Sequence, residues 1–163
     1  MREEGAETAQ GARAMTQFVG VDPGKEGAIA LWGQYVIDLP YLGDEPDVRA
    51  ITAQFREWEV EAGDTIAIEY QAAFSRPGAS MGVTSAFQLG KGYGMLLTCA
   101  YLYGLRVLLP RPAAWKKAYA LIGKDKDASR QLATQMFPWA ELARKKDHGR
   151  AEALLIADWA RKA

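Results

Sequence analysis

Two acidic residues of this sequence stand where short apolar segments end. Asp22 follows the apolar run 17–21 in VGVDPG, and Glu69 lies near the end of the run 65–70 in TIAIEYQ. A carboxylate at the end of a buried strand is costly unless a cation compensates its charge. Ligands of open α/β sheets bind near the C-terminal ends of the strands, so two such carboxylates on neighbouring central strands would converge on one point. Taken singly, each is more simply a turn residue or a solvent-facing acid.

Further titratable side chains stand together in the C-terminal block KKDHGRAEALLIADWARK, residues 145–162. His148 and Glu152 are four residues apart, which places them on one face of the predicted helix. Asp147 lies beside that face, so all three can lean toward one metal site. The simpler alternative is a solvated helix start, with Asp147 as the cap and Glu152 paired with His148.

Four carboxylates are therefore candidate metal ligands and candidate catalytic groups: Asp22, Glu69, Asp147 and Glu152. Such an all-oxygen set suits Mg²⁺, with Mn²⁺ as a substitute, and one cysteine and one histidine exclude Cys-rich zinc sites and multi-histidine centres. Close carboxylates repel one another, so the cluster would be stable mainly with cations bound. Two ions about 3.5–4 Å apart can activate water and stabilise the leaving oxygen of a phosphodiester. We therefore expect phosphodiester hydrolysis with two ions per active site.

The net charge of zero hides a polarised chain. Residues 1–105 hold 7 basic and 14 acidic residues, whereas residues 106–163 hold 13 basic and 6 acidic residues. Such an asymmetry indicates DNA binding, because Lys and Arg neutralise phosphates and release counterions. The alternative to DNA binding is that folding distributes these basic and acidic residues evenly over the surface. The basic residues of the second half that we expect to bind DNA are Lys116, Lys117, Lys124, Lys126, Arg130, Lys145 and Lys146.

The loop 71–80, shortly after Glu69, adds an aromatic residue and a cation. Phe74 can stack on an exposed base, and it can equally anchor the loop in the core. Arg76 of the same loop and Lys91 of the Gly-rich stretch 90–94 complete the candidate DNA-binding residues.

The predicted elements have the order β-β-β-α-β-α-β, followed by helices. The strands are predicted over 17–21, 27–32, 35–39, 65–70 and 105–109, and the helices over 46–62, 81–103, 112–121, 127–137 and 148–162. A meander followed by alternation predicts an α/β fold with a five-stranded mixed sheet flanked by helices, which is the ribonuclease H-like arrangement. That domain spans 15–163, and the polar residues 1–14 are predicted to form a flexible arm.

The sequence carries no signal for export or for a membrane. No segment has the apolar centre of a signal peptide or the roughly 18 uninterrupted apolar residues of a membrane span. A single cysteine excludes a disulfide framework, so the expected compartment is a reducing cytoplasm, that of a bacterial or phage-infected cell.

An ordered series of motifs resembles RuvC-type Holliday junction resolvases, with the phage and plastid RuvC-like branch the most similar. The motifs are GVDPGKEGAIA, AIEYQ, SAFQLGKGYGML, LLPRPAAWKK, GKDKDASRQLATQMFP and KKDHGRAEALLIA, and together they span residues 17–162. The resemblance implies a homodimer that acts on branched DNA, four-way junctions above all, in DNA recombination and repair. It implies a crossover junction endodeoxyribonuclease that uses Mg²⁺ or Mn²⁺ to make paired symmetric nicks, leaving 5′-phosphate and 3′-hydroxyl ends.

The resemblance also assigns roles to single residues. Asp22, Glu69 and Glu152 match metal-binding acids of the family, and the remaining ligand is Asp147 or His148, of which we favour Asp147. An aromatic residue after the second acid enters the junction centre in the family, and Phe74 is its nearest match. The helix 81–103 resembles the family's dimer helix.

Three other functions are considered. A sugar-kinase or actin-type ATPase has a first phosphate segment similar to VGVDPGKEGAIAL, but no second Gly-rich phosphate motif is present. A non-catalytic junction-binding module of the same fold is disfavoured because all four carboxylates are present. A nuclease with broader action on forks, flaps and Y-shaped DNA is separated from a strict resolvase only by a panel of substrates.

Overall fold

The computed structural model of the protein describes residues 15–72 and 81–163. The predicted arm 1–14 and the predicted DNA-binding residues Phe74 and Arg76 lie outside the described residues, as does the side chain of Lys126. The strands are β1 (Phe18–Asp22), β2 (Ala28–Leu31), β3 (Tyr35–Asp38), β4 (Tyr41–Leu42), β5 (Glu45–Pro46), β6 (Thr65–Ile68) and β7 (Arg106–Leu108). The helices are α1 (Val48–Glu57), α2 (Val83–Leu102), α3 (Pro112–Ala118), α4 (Lys126–Met136) and α5 (His148–Lys162), with a 3₁₀ turn at Lys145–Asp147.

Five strands form one mixed sheet in the order β3-β2-β1-β6-β7. The meander β1-β2-β3 is antiparallel, and β6 and β7 continue the sheet in parallel on the other side of β1. The predicted five-stranded mixed sheet is therefore confirmed, and β1 lies at its centre.

The two faces of the sheet carry side chains of different size. One face presents large residues such as Ile29 and Leu31 to the core under α1 and α2. The other face presents Ala28, Ala30 and Ala67 to the core under α3, α4 and α5. Because successive side chains of a strand point to opposite faces, this alternation of small and large residues lets helices approach one face more closely.

Helix α5 lies with its backbone against the backbone of the sheet. A Cβ atom added to Gly20 of β1 would lie 2.2 Å from the carbonyl oxygen of Ala153 and 2.3 Å from the amide nitrogen of Ala157. Near its N-terminus, a Cβ atom on Gly149 would lie 2.2 Å from the carbonyl oxygen of Glu26. Ten of the fifteen residues of α5 are buried, so the helix is fixed on the sheet along most of its length.

Helix α1 is shorter than the predicted helix 46–62. Its N-cap is Asp47, whose side chain accepts two backbone N–H groups of the first turn at 3.1 Å. Pro46 instead pairs with Tyr41 in a small two-stranded sheet, and Glu59 adopts a left-handed backbone with a φ of 55° after the helix has ended. The other predicted elements are present with boundaries that differ by a few residues. No helix among the described residues is long and apolar enough to cross a membrane.

We predict that Gly20→Ala destabilises the protein strongly. The added Cβ would meet backbone atoms of α5, which cannot turn aside as a side chain can, so we expect a loss of about 1–3 kcal/mol or more in the free energy of unfolding. The matched control is Gly90→Ala on α2, where a Cβ meets nothing within 4 Å. That change should raise stability by up to about 1 kcal/mol, because alanine favours helix. Urea unfolding of both variants measures the difference, and equal effects would contradict the close contact.

Candidate active site

The acidic residues at the two strand ends are neighbours, as predicted. Asp22 is the last residue of β1, and Glu69 directly follows β6. These strands pair in parallel with Val21 opposite Ile68, and the backbone N–H of Glu69 donates to the carbonyl of Val21 at 3.1 Å. Both acids therefore leave the sheet at the same edge, at the C-terminal ends of two central strands.

Helix α5 brings a third acid and the histidine to this edge. Asp22, His148 and Glu152 line one cleft of about 500 Å³ together with the turn that follows β1. The contact between Gly149 and that turn places the start of α5 directly beside it. The shared helix face predicted for His148 and Glu152 is therefore confirmed, and it faces the cleft of Asp22.

Glu69 and Glu152 are both buried acids, and the charge of Glu152 acts on Glu69. Only 8% of Glu69 and 9% of Glu152 is exposed. Burial is the main cause that raises the pKa of Glu69, and the negative charge of Glu152 adds to it. A hydrogen bond from Trp115 and the positive charge of Lys116 act in the opposite direction. Two buried carboxylates that repel each other gain from a cation placed between them.

Helices α3 and α4 supply partners to this pair. The indole N–H of Trp115 donates to Glu69 Oε2 at 2.7 Å. Lys116 Nζ lies 3.6 Å from Glu152 Oε1, and the hydroxyl of Ser129 donates to the same oxygen at 3.4 Å. Sequence reasoning does not identify Trp115 or Ser129, because helical spacing does not show which buried side chains meet. The one signal is that a buried tryptophan needs an acceptor for its N–H group.

Asp147 is engaged by Arg144 in this structure, and the preference for Asp147 over His148 as a ligand stays a prediction. Its carboxylate accepts hydrogen bonds from Arg144 Nη2 at 2.7 Å, from Arg144 Nε at 3.0 Å and from the backbone N–H of Arg144 at 2.8 Å. The Arg144 guanidinium holds the pKa of Asp147 below its usual range. Asp147 lines a cleft with Asp38, Arg144 and His148, and this cleft adjoins that of Asp22 and Glu152, which His148 also lines. Of the two candidate ligands, His148 is the one that lines the cleft of Asp22.

The structure does not bring the four predicted carboxylates into one cluster, and their role as metal ligands stays a prediction. Among the residues that the structure describes, no three Asp, Glu, His or Cys side chains stand close enough together to hold an ion. Asp147 is bound by Arg144, while Glu69 and Glu152 are bound by side chains of α3 and α4. The chemistry of the remaining set, three carboxylates and one imidazole at one edge of the sheet, still fits a hard divalent cation.

The predicted DNA-binding cations lie in three different settings. Lys116 is half-buried at Glu152, and Arg130 is bound by Asp127 and by the carbonyl of Leu142. Lys91 of α2 pairs with Glu45 and lines a cavity between α1 and α2, which is separate from the cleft of Asp22. The exposed members are Lys117, Lys124, Lys145 and Lys146.

This arrangement of sheet and helices matches a known fold. The chain superposes on Thermus thermophilus RuvC in complex with a Holliday junction substrate with a TM-score of 0.61 and 20% identity, over 87% of this chain and 90% of that chain. A second Thermus thermophilus RuvC structure gives a TM-score of 0.56 and 23% identity, over 87% and 91% of the two chains. The chain therefore has the ribonuclease H-like fold of RuvC, and the predicted fold class is confirmed.

Part of the chain is also similar in sequence to a known protein. The chain is 41% identical over 80 residues, 47% of its length, to the chloroplastic Holliday junction resolvase MOC1 of Chlamydomonas reinhardtii. It spans 9% of the length of that relative. No family model matches the chain. The resemblance predicted from the motifs is therefore found again in the sequence of this resolvase, over 80 residues, and in the fold of RuvC.

We predict that Asp147→Asn lowers stability in a pH-dependent way. Hydrogen bonds between a buried carboxylate and Arg144 contribute about 2 kcal/mol. Because the pKa of Asp147 is lower in the folded state than in the unfolded chain, this contribution is present above the unfolded pKa and is lost as the pH falls through the folded pKa. Unfolding free energies of variant and wild type should therefore differ at pH 7, begin to approach each other below about pH 4, and converge only below the folded pKa.

The control for Asp147→Asn is Asp44→Asn, which removes an acid whose ion pair with Lys25 is exposed on both sides. Exposed pairs contribute little, so this variant should unfold like the wild type. Equal, small effects of the two variants would show that Arg144 does not hold Asp147 in solution.

Proposed function

We propose that this protein is a RuvC-type Holliday junction resolvase, a divalent-metal-dependent endonuclease that cuts four-way DNA junctions by paired nicks. One observation carries the proposal: Asp22 and Glu69 leave neighbouring parallel strands at the edge where α5 presents Glu152. The similarity to a curated resolvase over 80 residues and the RuvC fold support it. Expected products carry 5′-phosphate and 3′-hydroxyl ends.

The residues that would hold the metal are Asp22, Glu69, Glu152 and His148. Bound Mg²⁺ or Mn²⁺ would supply positive charge at the scissile phosphate and a nucleophile at neutral pH. Lys116 already stands 3.6 Å from Glu152, so it would share that carboxylate with the cation or move toward the phosphate. The earlier expectation of two ions per site stays a prediction.

The strand of DNA that is cut would lie across the edge of the sheet that carries Asp22. The exposed lysines are Lys117 in the last turn of α3, Lys124 after that helix, and Lys145 and Lys146 in the turn before α5. Their charges would neutralise phosphates on either side of the cleft and make binding strongly dependent on salt. The cytoplasm of a bacterial or phage-infected cell stays the predicted location.

We further propose that a second copy of the chain covers α2. This helix has twenty residues, of which Leu96, Cys99 and Ala100 are buried in the described structure. Its exposed large apolar residues include Phe87, 66% exposed, and Leu102, 85% exposed. A long helix with so much exposed apolar surface is typical of a protein–protein interface. A homodimer would place two active sites on one junction, as paired nicks require.

We predict that Phe87→Glu converts the dimer to monomer. A carboxylate placed in an apolar interface must be desolvated without a partner, which weakens association by orders of magnitude. Analytical ultracentrifugation measures the change. The control is Leu42→Glu, because Leu42 on β4 is 75% exposed and lies outside α2. A wild-type chain that sediments as a monomer would contradict the dimer.

We predict that Asp22→Asn abolishes cutting and preserves DNA binding. Loss of a metal-binding carboxylate should cost several kcal/mol in the transition state, so nicking should fall by about 10³-fold or more. The control is Glu57→Gln, an exposed acid on α1. Both variants are tested with Mg²⁺ or Mn²⁺ on four-way, three-way, Y-shaped and duplex DNA, with mapping of both nicks.

The substrate panel also decides between the alternatives. Cutting of the four-way junction alone, at symmetric positions, supports a strict resolvase. Equal cutting of forks and flaps would show a broader nuclease, and junction binding without nicks in either metal would show a binding module. Undiminished nicking by Asp22→Asn would overturn the active-site assignment.

A further inference from the structure

Trp115 connects the hydrophobic core to Glu69. It is the largest fully buried side chain among the described residues, and it packs in the core cluster that includes Leu121, Phe137 and Leu154. Its Nε1 donates to Glu69 Oε2 at 2.7 Å. An indole has a single N–H donor, so the packing of the ring fixes the direction in which that hydrogen bond points.

We propose that Trp115 is a positioning residue, which holds one oxygen of Glu69 so that the other remains directed to the metal ion. This inference rests on the proposed function, because Glu69 acts there as a metal ligand. Because the side chain of Trp115 is fully buried, its contribution would be the orientation of a ligand and not contact with the DNA.

Glu69 needs such a partner because its own segment does not orient it. It follows the last residue of β6, and its other neighbour, Gln71, donates to Oε1 only at 3.4 Å. A hydrogen bond to an ionised acceptor at 2.7 Å is considerably stronger than one at that distance. Fixing a free glutamate in one rotamer costs conformational entropy, and a ligand that is already oriented avoids this cost when the ion binds.

The competing explanation is that Trp115 only fills space in the core. Trp115→Phe separates the two explanations, because phenylalanine keeps most of the apolar volume and removes the N–H donor. The chain offers a matched control in Trp32, whose Nε1 donates to Asp158 Oδ1 at 3.0 Å. Trp32→Phe removes the same kind of bond to a buried acid, but Asp158 lies near the opposite end of α5 from Glu152.

The experiment measures binding of Mn²⁺ alone to the full chain without DNA, by electron paramagnetic resonance of free Mn²⁺. Loss of a group that orients a metal ligand typically weakens metal affinity by about 10–100-fold. We expect an effect of about tenfold for Trp115→Phe and of less than about twofold for Trp32→Phe, since Asp158 is not a ligand. If Trp115→Phe folds and binds Mn²⁺ with the affinity of the wild type, the positioning role is overturned.

A measurement on the wild type keeps the proposal testable if Trp115→Phe does not fold. The indole ¹H–¹⁵N resonance of Trp115 should shift when Mg²⁺ saturates the protein, because the charge density on its acceptor Glu69 changes. The indole resonance of Trp32 should not shift. An unmoved Trp115 resonance at saturating Mg²⁺ would overturn the proposal.

The same titrations separate this proposal from the proposed function. If Asp22→Asn loses Mn²⁺ binding and Trp115→Phe binds Mn²⁺ as the wild type does, the positioning role is overturned. The assignment of the active site then still stands. A wild type that binds no Mn²⁺, or Asp22→Asn that binds it normally, overturns the metal site and the role of Trp115 with it.

Discussion

Helix α5 can rest on β1 only because Gly20 has no side chain, and this contact determines where the candidate active site forms. A Cβ at that position would lie 2.2 Å from a backbone oxygen of α5. The other residues of that face under α5 include Ala28, Ala30 and Ala67. Because their side chains are small, the helix packs closely along three strands. Gly149 extends the contact to the turn after Asp22, which places His148 and Glu152 beside it.

The cost of buried charge explains the helices around this site. Glu69 and Glu152 each have a partner on α3, an indole N–H for the first and an ammonium for the second. Asp147 is bound by Arg144 and Asp158 by Trp32 and Tyr119. Since a buried acid without donors is strongly destabilising, the hydrogen bonds that stabilise the fold also orient the candidate ligands.

The sequence predicted the sheet and the identity of most elements because their apolar patterns are local. The spacing of Ile51 and Phe55 predicts a helix from local sequence alone. The predicted start of this helix at residue 46 was wrong, because Pro46 pairs with Tyr41. The candidate acids at strand ends were likewise visible, since Asp22 and Glu69 interrupt or end apolar runs. The pairing of Arg144 with Asp147, by contrast, is not visible in the sequence, because a run of basic residues does not show which acid each of them contacts.

The sequence alone determined the fold class, the two acids at neighbouring strand ends and the face that His148 shares with Glu152. These follow from periods of two and 3.6 residues and from the fact that parallel strands end at a common edge. Only the tertiary structure decided that Asp147 turns to Arg144 and that Trp115 meets Glu69. Such contacts form between segments that are distant in the sequence, or involve one of two adjacent side chains. Which contact forms depends on the groups that packing brings within hydrogen-bond distance.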